Sequence, residues 1–226
     1  MKQTFAKSKI FESKDLATEF CCAEFCRIAN EKKSFRVALS GGSAPKPLYE
    51  RLTGEYASAI DWSKVHLFWS DERDVPLDHP DSNYKMAMEA GFQRLPIPEK
   101  QIHPFVDADT YEKLLEEAPM DLVLLGMGAD GHTASLFPKT HALHSGERLA
   151  VDNFLTDKDI WRRTFTFKAI GQATHVFVLV FGEDKAGMIK KVFESPPDPN
   201  LLPIQGITAK EELPLFILDK QAALNL

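Results

Sequence analysis

Cysteine, basic clusters and long apolar runs are all scarce in this chain. Its three cysteines, Cys21, Cys22 and Cys26, fall within six residues, on a segment where Leu16, Phe20 and Ala23 follow helical spacing. An odd count, no CxxC pair and no nearby histidine suit neither a disulfide framework nor a zinc site, so they read as small core residues in a reducing compartment. No Lys/Arg cluster stands out against a net charge of -6, which argues against nucleic acid as a partner, because neutralising phosphates needs a basic face. The longest apolar run, VFVLVF at 176–181, is too short to span a bilayer, and residues 1–15 lack the apolar stretch of a signal peptide. A soluble, cytoplasmic protein with no membrane partner is expected. Missing too are the GxxxxGK[ST] spacing of a P-loop and the GxSxG elbow of a serine nucleophile.

What is present points to an α/β layered fold. Apolar runs without alternation recur at 35–40 (FRVALS), 65–70 (VHLFWS), 121–126 (DLVLLG), 175–182 (HVFVLVFG) and 215–219 (LFILD). Such runs predict strands covered on both faces, hence a mostly parallel sheet with crossover helices. The intervening stretches 46–52, 82–92, 110–118 and 183–194 predict those helices. The 226 residues, 44% hydrophobic, can bury a full core, and the proline-rich connection at 195–203 interrupts the apolar rhythm only briefly. A single domain over 1–226 is the simplest organisation.

Polar residues gather just after four of the strands: SGGSAP, DERDVP, GADGHTAS and GEDK. In open parallel sheets ligands bind beyond the carboxyl ends of the strands, so these four clusters are expected to converge. In SGGSAPKP, Gly41 and Gly42 let the backbone wrap a ligand, and the helix start at Pro45 and Pro47 offers free N–H groups to an anion; an ordinary strand-to-helix turn fits the motif equally well. The charged run at Asp71, Glu72 and Arg73 has the solvated loop as its commoner fate, although Arg73 also supplies a forked donor suited to phosphate. Arg162 alternates with Thr164 and Thr166 on one face of a strand, opposite Arg163, Phe165 and Phe167. Lys185 sits at a helix start, where the dipole disfavours a cation, and so hints at an anionic ligand.

LLGMGADGHTASLFP at 124–138 contains the GxGxxG of a dinucleotide-binding turn, and Asp152 lies near the required distance downstream. The helix that should follow fails: Pro138 breaks it after seven residues, and His132, Thr133 and Ser135 are polar where sheet packing wants apolar groups. The better reading is a glycine-lined turn presenting Asp130 and His132 to the crevice. A histidine there can take a proton from water, with a carboxylate to orient it. His66, His79, His103, His141, His144 and His175 lack such a setting; His141 and His144 stand three apart without the further ligands a metal would need.

Taken together, LSGGSAPKPLYERL, LFWSDERDVPLDHPDSNY, DLVLLGMGADGHTASLFP, RRTFTF and VFGEDKAGMI resemble, in order and spacing, the 6-phosphogluconolactonases. The resemblance runs from about residue 10 to the C-terminus, where LFILDKQAA looks like the family's closing strand and helix. It implies a single-domain, Rossmann-type fold of the glucosamine-phosphate isomerase kind. It also implies hydrolysis of 6-phospho-D-glucono-1,5-lactone without a cofactor or metal, by a chain expected to be a monomer. Under the resemblance His132 is the catalytic base and Asp130 its neighbour, while Gly41, Gly42, Ser43, Asp71, Arg73, Asn83, Arg162 and Lys185 surround the substrate and its phosphate. Two departures stand out. Arg163 occupies a position usually aliphatic, so that either Arg162 or Arg163 faces the ligand, and Gln205 replaces a small residue expected to bear on the rim of the site. The related glucosamine 6-phosphate deaminases carry GHIAFNEP and DEY where this chain has GHTASLFP and DER, and sugar-phosphate sensors of this type carry an N-terminal helix-turn-helix for which residues 1–35 leave no room.

Overall fold

The structure is a computed structural model and describes residues 5–226. Each apolar run forms a strand: β2 (Phe35–Leu39), β3 (Val65–Trp69), β5 (Leu122–Gly126), β8 (His175–Val180) and β9 (Leu215–Asp219). With β1 (Lys7–Phe11) they make one six-stranded sheet in the order β1-β9-β8-β5-β2-β3, every pairing parallel. β1 has no apolar run to reveal it. It is an edge strand reading Lys-Ser-Lys-Ile-Phe, with four of its five residues exposed, and it is defined by pairing along β9 from Lys7–Leu215 to Phe11–Asp219. Lysines on such an edge also discourage pairing with another chain.

Helices α1 (Lys14–Glu31), α2 (Lys46–Thr53), α3 (Asn83–Glu89), α4 (Ala108–Glu117), α5 (Phe167–Gly171) and α6 (Ala186–Glu194) complete the layers. Their starts are chemically marked: Ser13, Ser82, Asp107 and Thr166 each accept a hydrogen bond from a first-turn N–H. The three cysteines lie buried on α1, unpaired, as their helical spacing predicts. The closing helix expected after β9 is absent. Asp219 accepts hydrogen bonds from the N–H groups of Gly182 and Ala222, and the chain beyond it runs as turns.

The chain leaves the main sheet at Ser70. Its N–H still bonds to Leu39, but its carbonyl accepts from Phe165, and the next residues form β4 (Asp71–Arg73) of a second sheet. That sheet is antiparallel, in the order β4-β7-β6, with β6 at Ala150–Leu155 and β7 at Ile160–Phe165. The charged run DER is therefore not a solvated loop: Asp71 and Glu72 are buried, because the strand is clamped between β7 and α3. Thr164 and Phe165 face opposite ways on β7 as alternation predicts, but Thr166 and Phe167 pass into α5.

Two buried tyrosines hold the strand ends that carry the loops. The Tyr49 hydroxyl, on α2, donates to the Ser40 carbonyl and accepts from the Ser40 N–H, both at 2.9 Å. The Tyr111 hydroxyl, on α4, accepts from the Trp69 N–H at 2.8 Å. Both phenols lie beneath aromatic packing, so the ends of β2 and β3 are pinned from below where the chain turns toward the crevice. No helix among the described residues is long and apolar enough to cross a membrane.

Candidate active site

The four polar clusters do converge. A cavity of about 270 Å³ opens beyond the C-terminal ends of β2, β3, β5 and β8, and Gly41, Gly42, Ser43, Asp71, Arg73, Asn83, His132 and Lys185 line it. Parallel strands all end on the same side, which is why loops spaced through the sequence meet there.

The glycine turn after β5 is built around the imidazole of His132. The Gly128 N–H donates to the His132 carbonyl at 2.9 Å, and Gly131 adopts φ 81°. A Cβ on Gly128 would lie 2.1 Å from the ring, so the second glycine of the supposed nucleotide fingerprint serves histidine packing instead. Phe137 stacks on the ring, with centroids 4.0 Å apart and planes 24° off parallel. His132 Nδ1 is hydrogen-bonded to Asp130 Oδ1, which also accepts the His132 backbone N–H at 3.1 Å. Burial works against the Asp130 carboxylate, but the hydrogen bond from the ring and the ring's charge outweigh it and hold Asp130 down at about 2. The ring is thus fixed on three sides, and Nε2, without a partner among the described residues, is the nitrogen left for chemistry. Asp130 itself does not line the cavity and acts from behind the ring.

The floor is a buried polar network. Asp71 accepts from the Ser135 hydroxyl at 2.7 Å and from the Asn83 amide at 3.1 Å. Asn83 packs where a side chain on Gly41 would be, 1.8 Å from the ideal Cβ, which explains the glycine. Beside it, Glu72 is 1% exposed and takes four hydrogen bonds: the N–H groups of Arg73 and Asn83 on Oε1 at 2.7 and 2.8 Å, and the Ser82 hydroxyl and Tyr84 N–H on Oε2 at 3.1 and 2.8 Å. One carboxylate therefore locks β4 to the start of α3 and sets Arg73 and Asn83 in place.

The cations are unevenly placed. Arg73 and Lys185 reach the cavity, and Arg73 is braced by the Asp81 carbonyl. Arg162 pairs across the strands with Arg73 but opens into an adjoining groove that Arg73 shares. Burial, and then the Arg73 charge, lower the pKa of Arg162. Arg163 is committed elsewhere, hydrogen-bonded to Asp74 and to the Arg73 carbonyl. Of the two arginines, Arg162 is the one that lines a groove together with Arg73. Gln205 is not on the rim: it is buried, donating to the Val192 carbonyl at 2.8 Å and accepting from the Asp198 N–H at 2.9 Å, and so ties the proline-rich connection to α6.

Sequence reading missed three contributors. Ser40 lines the cavity with a buried hydroxyl that has no partner among the described residues. Ala134 lines it at φ 47°, a left-handed conformation costly for a residue with a Cβ. Lys14 lines it from the first turn of α1. Its signal, a cation at a helix start, is the one that exposed Lys185, but it sits after a strand that no apolar run announced.

The family of glucosamine-6-phosphate isomerases/6-phosphogluconolactonase matches residues 12–215. A 6-phosphogluconolactonase of Synechocystis sp. is 44% identical over 214 residues, covering 87% of this chain and 86% of the relative. The solved structure of 6-phosphogluconolactonase from Trypanosoma brucei superimposes with a TM-score of 0.84 at 28% identity, covering 98% of each chain. A monomeric glucosamine-6-phosphate deaminase shares the fold at 18% identity, with a TM-score of 0.79 over 97% of this chain and 100% of the other.

Proposed function

Because this chain belongs to the family of glucosamine-6-phosphate isomerases and 6-phosphogluconolactonases, we infer that it hydrolyses 6-phospho-D-glucono-1,5-lactone to 6-phospho-D-gluconate in the pentose phosphate pathway. One observation carries the reading: an imidazole held through Nδ1 by Asp130, with Nε2 unpartnered among the described residues, lines a cleft edged by Lys14, Arg73 and Lys185. Deamination is not favoured, since the turn holds Leu136 and Phe137 where the deaminase motif has its glutamate.

His132 Nε2 takes a proton from a water that attacks the lactone carbonyl, and Asp130 holds the ring and stabilises its protonated form. The N–H groups of Gly128 and Gly131 are spent inside the turn, so they do not serve the oxyanion. The Ala134 N–H, two residues after His132 and in a backbone held at positive φ, meets no described acceptor and is the better oxyanion donor. The phosphate is held apart from the reacting carbonyl, by the 41–43 loop, Arg73 and Lys185, with Arg162 behind, which fixes the ring over His132. No covalent intermediate is needed for an ester as reactive as a lactone. Residues 1–226 are read as one domain because a single apolar core runs from Ala6 to Ala222. Three unpaired thiols fit the reducing cytoplasm.

The test is acid release from freshly generated lactone, measured against its spontaneous hydrolysis. The wild type accelerates it; His132→Ala lowers kcat by roughly 10²–10⁴-fold, the usual contribution of a general base, with little change in KM. Turnover by His132→Ala within a few-fold of wild type would remove the histidine from the mechanism.

A further inference from the structure

Among the described residues, Lys14 is the one cation of the cleft that neither the loop motifs nor the family resemblance selects. It opens α1, an 18-residue helix, where the dipole disfavours positive charge. No described carboxylate compensates it: the adjacent Asp15 is taken by Arg51 at 3.0 Å. Its Nζ donates to the Ser43 carbonyl at 3.2 Å and lies 5.7 Å from the centre of the Phe181 ring. An ammonium has three donors, so two remain for the cavity that Lys14 lines. The loop it touches has donors in search of an acceptor as well. The N–H groups of Gly41, Gly42 and Ser43 meet none among the described residues, and the Ser40 hydroxyl, 4% exposed, is buried without a partner. A buried polar group left unpaired is costly, so this corner is shaped for a ligand with several acceptor oxygens.

On the lactonase reading, we propose that Lys14 binds the substrate's phosphate, bridging α1 to the 40–44 loop, and that it makes the cleft prefer phosphorylated lactones to neutral ones. A cation there costs the ligand-free fold a little and repays it only when an anion arrives. A lysine that merely tied down the Ser43 carbonyl would behave differently, since a neutral donor could replace it.

Lys14→Gln keeps a donor without the charge, and Lys14→Arg keeps the charge. Kinetics on 6-phosphogluconolactone and on unphosphorylated glucono-1,5-lactone separate the two roles. Lys14→Gln is expected to raise KM for the phosphorylated lactone about tenfold, the size of one charge-assisted hydrogen bond, with kcat moving far less. Lys14→Arg recovers most of the loss, and the neutral lactone is affected several-fold less. The ligand-free melting temperature of Lys14→Gln equals or exceeds that of wild type. A Lys14→Gln enzyme with wild-type KM, or one impaired equally on both lactones, overturns the proposal. Should the wild type hydrolyse neither lactone, the lactonase reading fails separately. The rise in melting temperature with inorganic phosphate then decides for Lys14: present in wild type and lost in Lys14→Gln supports it, and equal in both overturns it.

Discussion

Glu72→Gln is the substitution that most directly probes how the site is held together. The change is nearly isosteric, yet it turns one of two accepting oxygens into a donor. Both oxygens of Glu72 face donors, with two hydrogen bonds on each, and the residue is 1% exposed, so no rotamer turns the new amide to water. Two hydrogen bonds to a charged acceptor vanish. At about 1.5–3 kcal/mol each they amount to roughly 3–6 kcal/mol, a large part of the ~5–15 kcal/mol that stabilises a typical domain. For a chain of this size each kcal/mol moves Tm by about 2–4 °C, so a drop of roughly 10 °C is expected in a thermal melt. Arg73 and Asn83 lose their anchor as well, and KM for the phosphorylated lactone rises more than kcat falls. A variant that melts within about 2 °C of wild type, with unchanged KM, would refute the claim that this carboxylate organises the cleft.

Two further outcomes are expected. Gly128→Ala places a methyl 2.1 Å from the His132 ring and 2.8 Å from Asp130 Oδ1, so it should abolish turnover almost as fully as His132→Ala while leaving the far-ultraviolet circular dichroism intact; near-normal kcat would show that the turn relaxes freely. His103 is pushed down to about 4 by burial and then by the fields of His66 and Arg36, its ring stacked against those of Phe68 and His66. In the unfolded chain it takes its proton near the ordinary ~6.5, so stability is full above that pH, falls as pH drops toward about 4, and is flat in this respect below. His103→Gln should flatten the slope of Tm against pH between those limits, and an unchanged slope would assign it to other groups.

Some of this was available from the residues alone. Unbroken apolar runs can lie only where both faces are covered, so FRVAL, VHLFW, LVLLG, HVFVLV and LFILD determined a buried parallel sheet, and parallel strands determined that SGGS, DER, GADGH and GEDK would share one rim. Pro138 and the polar groups after Gly131 were enough to reject a dinucleotide turn. Tertiary structure alone decided the rest, because those facts depend on contacts between residues distant in sequence. β1 is a strand only because β9 offers its edge, some two hundred positions later. Asp71 and Glu72 look like solvent-facing charge until donors from α3 and the turn after β5 surround them. Arg162 and Arg163 are adjacent and chemically identical, and only Asp74 and the strand pairing tell them apart. Lys14 joins the site through a carbonyl in another loop, a contact that no local pattern encodes.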